Sequence, residues 1–286
     1  MGVEIDLAES LDHALDLVSA GDPEVRPVAG ATDMVLRLHG GRLKAKKLIS
    51  IADVSELTFL QSDRQEVRFG AGTQLSDLLA NEEFCAELSC AADSLRQFAS
   101  PQIRNRATVG GNVGNASPAA DMVPPLIALG ARITLGSKKR GMRTLPLEDV
   151  FLGLGKTSIA PDELIIELTV PRRASWFQAF AKFGSRNANV IAVVNMALAL
   201  DLDGTRIRHA RAAYGSVAPK TLRPLAVEQF LEGRELDDAT IKGVAEVVQQ
   251  AISPIDDVRG SARYKRKLAV NATQDALSAA RARARK

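Results

Sequence analysis

The segment over residues 100–121 constrains this chain more than any other part of it. Glycine, proline and asparagine are frequent there, as at Pro101, Gly110, Gly111 and Asn112, and bulky apolar side chains are scarce. So long a stretch without regular structure is uncommon inside a compact domain unless it carries function. We therefore predict that residues 100–121 form a functional loop within a folded domain.

Two glycine-rich turns have the composition of a phosphate-binding site. The first, Ala29-Gly30-Ala31-Thr32-Asp33, directly follows a predicted strand, and the second has the sequence TVGGNVGN over residues 108–115. Small residues let backbone N–H groups converge on an anion without obstruction by side chains. Each turn alone is weak evidence, because a pair of glycines is more often an ordinary tight turn. Together they favour a nucleotide that carries a pyrophosphate.

Several familiar site motifs are missing from the sequence. No G-x-G-x-x-G occurs, which argues against a Rossmann dinucleotide site. The tripeptide at 155–157 (GKT) resembles the end of a P-loop, but Val150 stands where that motif requires its first glycine. His13, His39 and His209 are isolated, so we expect surface or structural histidines and no metal site.

Composition limits the class of protein. The 286 residues are 46% hydrophobic and 25% charged, as expected of a soluble chain with one large domain or two ordinary ones. A net charge of +3 is too small to imply a nucleic acid partner. Two cysteines, Cys85 and Cys90, exclude a disulfide framework and an iron–sulfur or zinc site made by this chain's thiolates alone. With no signal-peptide pattern and no apolar run of about 18 residues, we expect a cytoplasmic protein without membrane insertion.

The hydrophobic periodicity predicts an α+β chain. Predicted strands cover 25–29, 47–51, 67–72, 132–135, 164–170, 177–183, 190–201 and 206–216, and predicted helices cover 11–18, 75–79, 82–98, 122–129, 226–231, 238–252 and 261–283. Ser10 is the expected N-cap of the first helix, and Asp203-Gly204 is the expected turn of a hairpin. Residues 171–175 are the candidate domain boundary, and the basic tail 281–286 is expected to be a frayed helix end.

The longest of these motifs resembles a known family. The run QIRNRATVGGN at 102–112, extended by NASPAAD at 115–121, is similar to the FAD-binding signature of the molybdenum hydroxylase flavoproteins. These are the medium subunits of xanthine dehydrogenase, carbon monoxide dehydrogenase and nicotinate or aldehyde dehydrogenase complexes. Residues 29–33 resemble the family's first flavin loop, KFGSRN at 182–187 its entry into the C-terminal domain, and RGSARYK at 259–265 its last helix. The resemblance covers nearly the whole chain, in the family's order.

The resemblance implies a fold. The expected architecture is α+β, with a PCMH or vanillyl-alcohol-oxidase-type FAD-binding domain over residues 1–173, in subdomains of about 1–55 and 56–173. A small C-terminal α+β domain of the CO dehydrogenase flavoprotein type would occupy residues 174–286.

It also implies a set of FAD-binding residues. The set is Ala29, Gly30, Ala31, Thr32, Asp33, Phe98, Thr108, Gly110, Gly111, Asn112, Asn115, Asp121, Ile165 and Lys182. The backbone of the first turn would cradle the pyrophosphate, and the second would surround phosphates and ribitol. Asp121 would form a hydrogen bond from the following helix, and Phe98 would pack at the cofactor. The backbone of Ile165 would face the adenine end, and Lys182 would lie near the flavin ring. The resemblance assigns no catalytic residue and no metal ligand.

The function implied is that of an FAD subunit in a molybdenum hydroxylase complex, an oxidoreductase heterotrimer. Substrate would be oxidised at molybdopterin on a large partner. Electrons would pass through two [2Fe–2S] clusters on a small partner to FAD on this chain, and then to NAD+ or another acceptor. The alternatives are a free-standing flavoprotein oxidase or reductase of the same superfold, and a non-catalytic nucleotide-binding assembly protein. The sequence does not select among xanthine, nicotinate, an aldehyde or carbon monoxide as substrate.

Overall fold

The computed structural model describes residues 3–186 and 189–285. In chain order, the strands are β1 (Glu4–Leu7), β2 (Val25–Val28), β3 (Lys47–Ser50), β4 (Leu60–Ser62), β5 (Glu66–Gly70), β6 (Arg132–Ser137), β7 (Gly141–Pro146), β8 (Phe151–Gly153), β9 (Lys156–Thr157), β10 (Leu164–Pro171), β11 (Phe177–Phe183), β12 (Val194–Asp203) and β13 (Arg206–Gly215). The α-helices are α1 (Leu11–Val18), α2 (Met34–His39), α3 (Leu75–Ala80), α4 (Glu82–Glu87), α5 (Ser89–Arg96), α6 (Pro101–Arg104), α7 (Val109–Gly114), α8 (Val123–Ala128), α9 (Leu225–Leu231), α10 (Asp238–Ala251) and α11 (Ala262–Ala284).

The chain divides into two compact units, each assembled from separate segments. The first unit comprises residues 1–81, 100–116 and 131–171. It contains a parallel three-stranded sheet in the order β1-β3-β2 and an antiparallel five-stranded sheet in the order β4-β5-β10-β6-β7. Ala14, Leu15 and Val18 of α1 share one apolar core with Ile49 of β3. Because β2 pairs parallel with β3, the turn that follows β2 lies at the carboxyl end of a parallel strand, where ligands bind in many α/β folds.

The five-stranded sheet is organised around β10. Buried and half-buried residues alternate along this strand, as expected for a sheet with one face in the core. β10 pairs antiparallel with β5 on one side and with β6 on the other, and its register to β6 shifts between Ile165 and Glu167. The shift is a bulge immediately beside one of the predicted cofactor contacts.

The second unit comprises residues 82–99, 117–130 and 172–286. Its antiparallel sheet, in the order β11-β12-β13, packs against α9 and α11, and α10 packs on those two helices. They share an apolar core that includes Leu198, Leu231, Val244 and Leu277. Helix α5 packs on β11, and α8 packs on β12 and β13. The hairpin between β12 and β13 turns at Gly204, whose φ of +56° is the left-handed conformation that favours glycine.

The structure corrects the prediction for residues 100–121. Two short helices, α6 and α7, replace part of the expected loop. Ser100 and Thr108 cap them, because their hydroxyl groups accept hydrogen bonds from the N–H groups of Ile103 and Gly111. The serine before Pro101 was a helix-start signal that the glycine content obscured.

Three further differences have local causes. The single helix expected over 82–98 is broken at Leu88, a fully buried residue with φ −117° and ψ 53°. Strand β7 was missed because its side chains are mostly exposed and lack an apolar alternation. Helix α11 stays regular to Ala284 where fraying was expected, and Arg281 pairs with Asp238 at 2.7 Å. In the part of the chain that the structure describes, no helix has both the length and the apolar character to cross a membrane.

Candidate functional site

The first predicted turn exposes a row of unused backbone donors. It connects β2 to α2, and Ala31 within it has a φ of +60°. None of the N–H groups of Gly30, Ala31 and Thr32 donates a hydrogen bond to an acceptor within residues 3–186 and 189–285. A left-handed residue in a turn lets successive N–H groups point to one side, which is the geometry of backbone anion sites. This turn can therefore hold a phosphate.

Gly30 is required by close packing within the first unit. A β-carbon built at Gly30 would overlap the carbonyl oxygen of Arg106 and would lie 3.1 Å from Cα of Ala107. The first turn thus contacts the residues that immediately precede the second turn, backbone against backbone. The structure brings the two predicted turns together.

The glycines of the second turn have different roles. Gly110 is buried, its N–H donates to the carbonyl oxygen of Ala71 at 2.9 Å, and a β-carbon on it would lie 2.7 Å from that residue. Gly111 is exposed, and a β-carbon there would meet only Oγ1 of Thr108, at 3.1 Å. Gly110 therefore serves packing of the protein, whereas the absent side chain of Gly111 keeps the surface of the turn open.

Two asparagines of the second turn have contrasting environments. Oδ1 of Asn112 is buried and has no hydrogen-bond partner among the described residues. An orphaned buried polar atom costs about 1–3 kcal/mol, and a ligand hydroxyl group would relieve that cost. Oδ1 of Asn115 accepts a hydrogen bond from Nη1 of Arg37 at 2.7 Å, and the same Nη1 lies 3.8 Å from Asp33. Arg37 therefore connects the two turns.

Ile165 supports the second turn from β10. A β-carbon at Gly114 would lie 3.3 Å from Cδ1 of Ile165, so the end of α7 packs closely on this side chain. The residue is half-buried at the bulge of β10. The expected exposure of its backbone to adenine stays a prediction.

The second unit brings together the predicted Asp121 and Lys182. Nζ of Lys182 donates to Oδ2 of Asp121 at 2.6 Å and to the carbonyl oxygen of Gln97 at 3.0 Å. Only 4% of the Lys182 side chain and 7% of the Asp121 side chain are exposed. Burial raises the pKa of Asp121, and the nearby Lys182 and Asn195 oppose that rise. Asp121 lies two residues before the start of α8 at Val123, and its expected hydrogen bond to the cofactor stays a prediction.

A cavity of about 400 Å³ in the same unit includes Lys182 in its lining. Its other lining residues are Gln97, Phe183, Gly184, Arg186 and Val190. The half-buried Phe98 follows Gln97 directly in the chain. Asn187, the last residue of the KFGSRN motif, lies outside the described residues.

Sequence reasoning missed Arg37 and Asn195. Asn195 is a fully buried amide in the otherwise apolar start of β12, and its Nδ2 donates to Oδ1 of Asp121 at 2.9 Å. A polar residue in such a strand was the available signal. The side chain of Arg37 gave no such signal, because a charged residue on a short surface helix is ordinary.

The thiols do not contribute reactive groups. Burial raises the pKa of both Cys85 and Cys90, so each thiol stays protonated near neutral pH. Within residues 3–186 and 189–285, no group of three or more His, Cys, Asp or Glu side chains is arranged to hold a metal ion.

Comparison with known proteins identifies the family. The model of the FAD binding domain in molybdopterin dehydrogenase matches residues 3–173, and that of the CO dehydrogenase flavoprotein C-terminal domain matches residues 178–280. The chain belongs to this family. It is an FAD-binding medium subunit of the molybdenum hydroxylase type, and thus an oxidoreductase subunit.

Individual relatives cover almost the whole chain. The glyceraldehyde dehydrogenase medium chain of Sulfolobus acidocaldarius is 33% identical over 91% of this chain and 92% of its own length. The xanthine dehydrogenase FAD-binding subunit of Escherichia coli O157:H7 is 28% identical, over 96% and 94%. The structure of carbon monoxide dehydrogenase from Hydrogenophaga pseudoflava lacking the Mo-pyranopterin moiety matches with a TM-score of 0.94 and 28% identity, over 99% and 98%. The predicted fold, an FAD-binding domain plus a CO dehydrogenase flavoprotein C-terminal domain, is confirmed.

Proposed function

We propose that this chain holds FAD as the electron-transfer subunit of a three-chain molybdenum hydroxylase. Electrons would come from [2Fe–2S] clusters on a small partner and would leave to NAD+ or another acceptor. The observation that carries the proposal is the row of free N–H groups at Gly30, Ala31 and Thr32, in a turn that packs against the second glycine turn. A pyrophosphate is the ligand group that such donors suit.

Other residues fit the same cofactor. The buried Oδ1 of Asn112 lacks a donor that a cofactor hydroxyl group would supply, and exposed Gly111 leaves room for a ligand against the backbone. We propose that Lys182, held by Asp121, contacts the flavin ring system, and that Phe98 packs at the cofactor. When bound, FAD supplies reversible electron transfer, while the protein orients it and tunes its charge environment.

The relatives support a division of labour among subunits. Their names describe a medium chain of glyceraldehyde dehydrogenase and a medium subunit of nicotine 6-hydroxylase. We propose that this chain likewise joins a large molybdopterin subunit and a small [2Fe–2S] subunit. Its two cysteines are not joined in a disulfide and are too few for the four thiolates that a [2Fe–2S] cluster usually takes. Cysteines that are not in a disulfide also suit the reducing cytoplasm, which we propose as its compartment.

Replacing Gly111 by valine tests the assignment of the cofactor loop. The β-carbon would lie 3.1 Å from Oγ1 of Thr108, so the cap of α7 must shift slightly, and the valine would fill the exposed space at the turn. The unfolding midpoint of the variant is therefore recorded beside its FAD affinity. We expect the wild-type chain to bind FAD and Gly111→Val to lose at least about tenfold in affinity, or 1.4 kcal/mol. The matched control is Gly153→Val, because a β-carbon at Gly153 has no neighbour within 4 Å. A Gly111→Val variant that binds FAD like the wild type would refute this loop assignment.

Purification of the tagged chain with its partners tests the electron-transfer role. We expect two co-purifying subunits and an absorption spectrum with both flavin and iron–sulfur features. Anaerobic mixing of the complex with NADH tests whether NADH reduces the flavin. Turnover with NAD+ is compared with turnover with an artificial acceptor, and the two measurements together tell whether NAD+ is the acceptor. A flavin spectrum without iron–sulfur features, together with turnover of a small substrate by this chain alone, would support the free-standing oxidase. A chain without flavin would support the assembly protein.

A further inference from the structure

Three residues form one row across the sheet of the second unit. The strand register places Lys182 of β11 opposite Asn195 of β12, and Asn195 opposite Gly215 of β13. Directly opposite residues of adjacent strands lie close enough for their side chains to interact. The row therefore offers one ammonium group, one amide and one position without a side chain.

Asp121 binds to this row through both carboxylate oxygens. Oδ2 accepts from Nζ of Lys182 at 2.6 Å, and Oδ1 accepts from Nδ2 of Asn195 at 2.9 Å. The same Nδ2 lies 3.3 Å from the carbonyl oxygen of Ala120, as a second acceptor. The carboxylate is thus held at two points, and rotation about its side-chain bonds is restricted.

Gly215 makes room for the Asn195 amide. A β-carbon at Gly215 would overlap Oδ1 of Asn195 and would lie 2.9 Å from the carbonyl oxygen of Pro118. That oxygen accepts a hydrogen bond from the N–H of Ser216 at 2.7 Å, which fixes the segment leading to Asp121 on the end of β13. Oδ1 of Asn195 is buried without a partner among the described residues. An unsatisfied buried oxygen costs free energy, so packing alone would favour an apolar side chain at this position. The asparagine is therefore explained by its hydrogen bond to Asp121.

We propose that Asn195 is a positioning residue that holds the Asp121 carboxylate in place and directed at Lys182, and so sets the ammonium group for the cofactor. This inference rests on the proposed function, in which Lys182 contacts the flavin. Among the described residues, Lys182 is the charged group that interacts electrostatically with Asp121. The neighbouring strands β12 and β13 face this pair with the uncharged Asn195 and Gly215. The other acceptor of Lys182 is a carbonyl oxygen, which carries no net charge.

Asn195→Asp separates this role from packing, because it keeps the size of the side chain and replaces the amide donor by a titratable carboxyl group. Two adjacent buried carboxyl groups share one proton until the pH is high enough to remove it. While the pair holds that proton, an O–H···O bond replaces the amide contact. Once both groups are ionised, they repel each other and the carboxylate of Asp121 loses its position. A buried carboxyl group at position 195 lowers stability at high pH by itself, so a purely structural role would make folding depend on pH but not the FAD affinity of the folded chain.

The measurement is the FAD dissociation constant of the full chain at pH 6.0 and pH 9.0, with the unfolding midpoint of the FAD-free chain recorded alongside. We expect Asn195→Asp to match the wild type within about twofold at pH 6.0 and to bind at least about tenfold more weakly at pH 9.0. The control is Asn271→Asp, the same chemical change at an exposed position of α11. Neither the control nor the wild type should change by more than about twofold over the same interval.

The outcomes distinguish the two proposals. If the wild type binds FAD and Asn195→Asp shows no greater pH dependence than Asn271→Asp, the positioning role is refuted and the proposed function stands. If the wild type binds no FAD at either pH, the proposed function fails. The unfolding midpoints then decide the inference about Asn195 and Asp121: a fall with pH in Asn195→Asp that is much smaller in the double variant Asp121→Asn, Asn195→Asp supports it, and an equal fall in both variants overturns it.

Discussion

Arg37 and Asn115, which are 78 positions apart, are joined by a hydrogen bond of 2.7 Å from Nη1 to Oδ1. Arg37 lies on α2, directly after the first glycine turn, and Asn115 is the C-cap of α7, at the end of the second. The bond therefore fixes the distance between the two turns, in addition to the backbone packing at Gly30. A ligand that contacts both turns needs that distance to be constant.

A double-mutant cycle on Arg37 and Asn115 should measure this connection. We expect Arg37→Met and Asn115→Ala each to lower the free energy of unfolding, with a coupling energy of about 1 kcal/mol between them. FAD affinity should fall severalfold in each single variant, with little further loss in the double variant. Additive effects of the two substitutions, in both unfolding and FAD titration, would show that the hydrogen bond does not connect the turns.

Gly30→Ala should disrupt the contact between the turns. The added methyl group would overlap the carbonyl oxygen of Arg106, which belongs to the backbone and cannot rotate away. We expect a loss of about 2 kcal/mol or more in the free energy of unfolding, measured by denaturant titration, and a loss of FAD binding. Gly153→Ala, which adds a methyl group in open space, should stay within about 0.5 kcal/mol of the wild type. Equal stability of the two variants would contradict the close approach at Gly30.

Lys182→Met should make stability depend on the charge of Asp121. Burial already raises the pKa of Asp121, and removal of the lysine that opposes this rise will raise it further. The folded state then holds a proton that the unfolded state releases near pH 4, so stability falls as the pH rises from 4 through the folded-state pKa. We expect the deficit relative to wild type to grow over that window by about 1.4 kcal/mol per unit of added pKa shift. Lys267→Met, at an exposed position of α11, is the control, and a deficit that does not change with pH would refute the pairing.

Asp257→Asn tests a second buried lysine, at the start of α11. Nζ of Lys265, which is 2% exposed, lies 2.8 Å from Oδ2 of Asp257 and 3.0 Å from the carbonyl oxygen of Ile255. Burial works to raise the pKa of Asp257, but hydrogen bonds from Lys265 and from the N–H of Arg259 outweigh it and hold the pKa below its usual value. The stabilisation is therefore present above about pH 4 and is lost as the pH falls through the folded-state pKa. Chemical unfolding at pH 7 should show a loss of about 1–3 kcal/mol that shrinks below pH 4; an equal loss at pH 7 and pH 3 would argue against the ion pair.

Local patterns in the sequence predicted much of the fold. Ser10 caps α1 as expected, and the turn at Gly204 joins β12 to β13. The strand expected over 164–170 is present as β10, with one face in the core. Those features depend on neighbours a few residues away. The helices α6 and α7 were missed because their sequences contain opposing signals. A serine or threonine cap favours a helix, whereas glycine and proline disfavour one, and in so short a segment packing decides between helix and loop.

The candidate site was predictable only in part. The glycines and asparagines of the two turns were found from composition and from the family resemblance. The reason that Gly30 must be glycine is a contact with Arg106, and the role of Asn195 is a hydrogen bond to a residue 74 positions away. No local pattern encodes such contacts, because they arise when distant segments meet. The structure therefore adds the residues that hold the site in place to those that line it.

The stoichiometry of FAD on the purified 286-residue chain tests the central claim most directly. The chain is reconstituted with excess FAD and freed of unbound cofactor, and the flavin released on denaturation is quantified against protein concentration. The account predicts close to one FAD per wild-type chain, and close to none for a Gly111→Val chain that is still folded at the assay temperature. A folded wild-type chain that retains no flavin, or a Gly111→Val chain that retains one FAD, would contradict it.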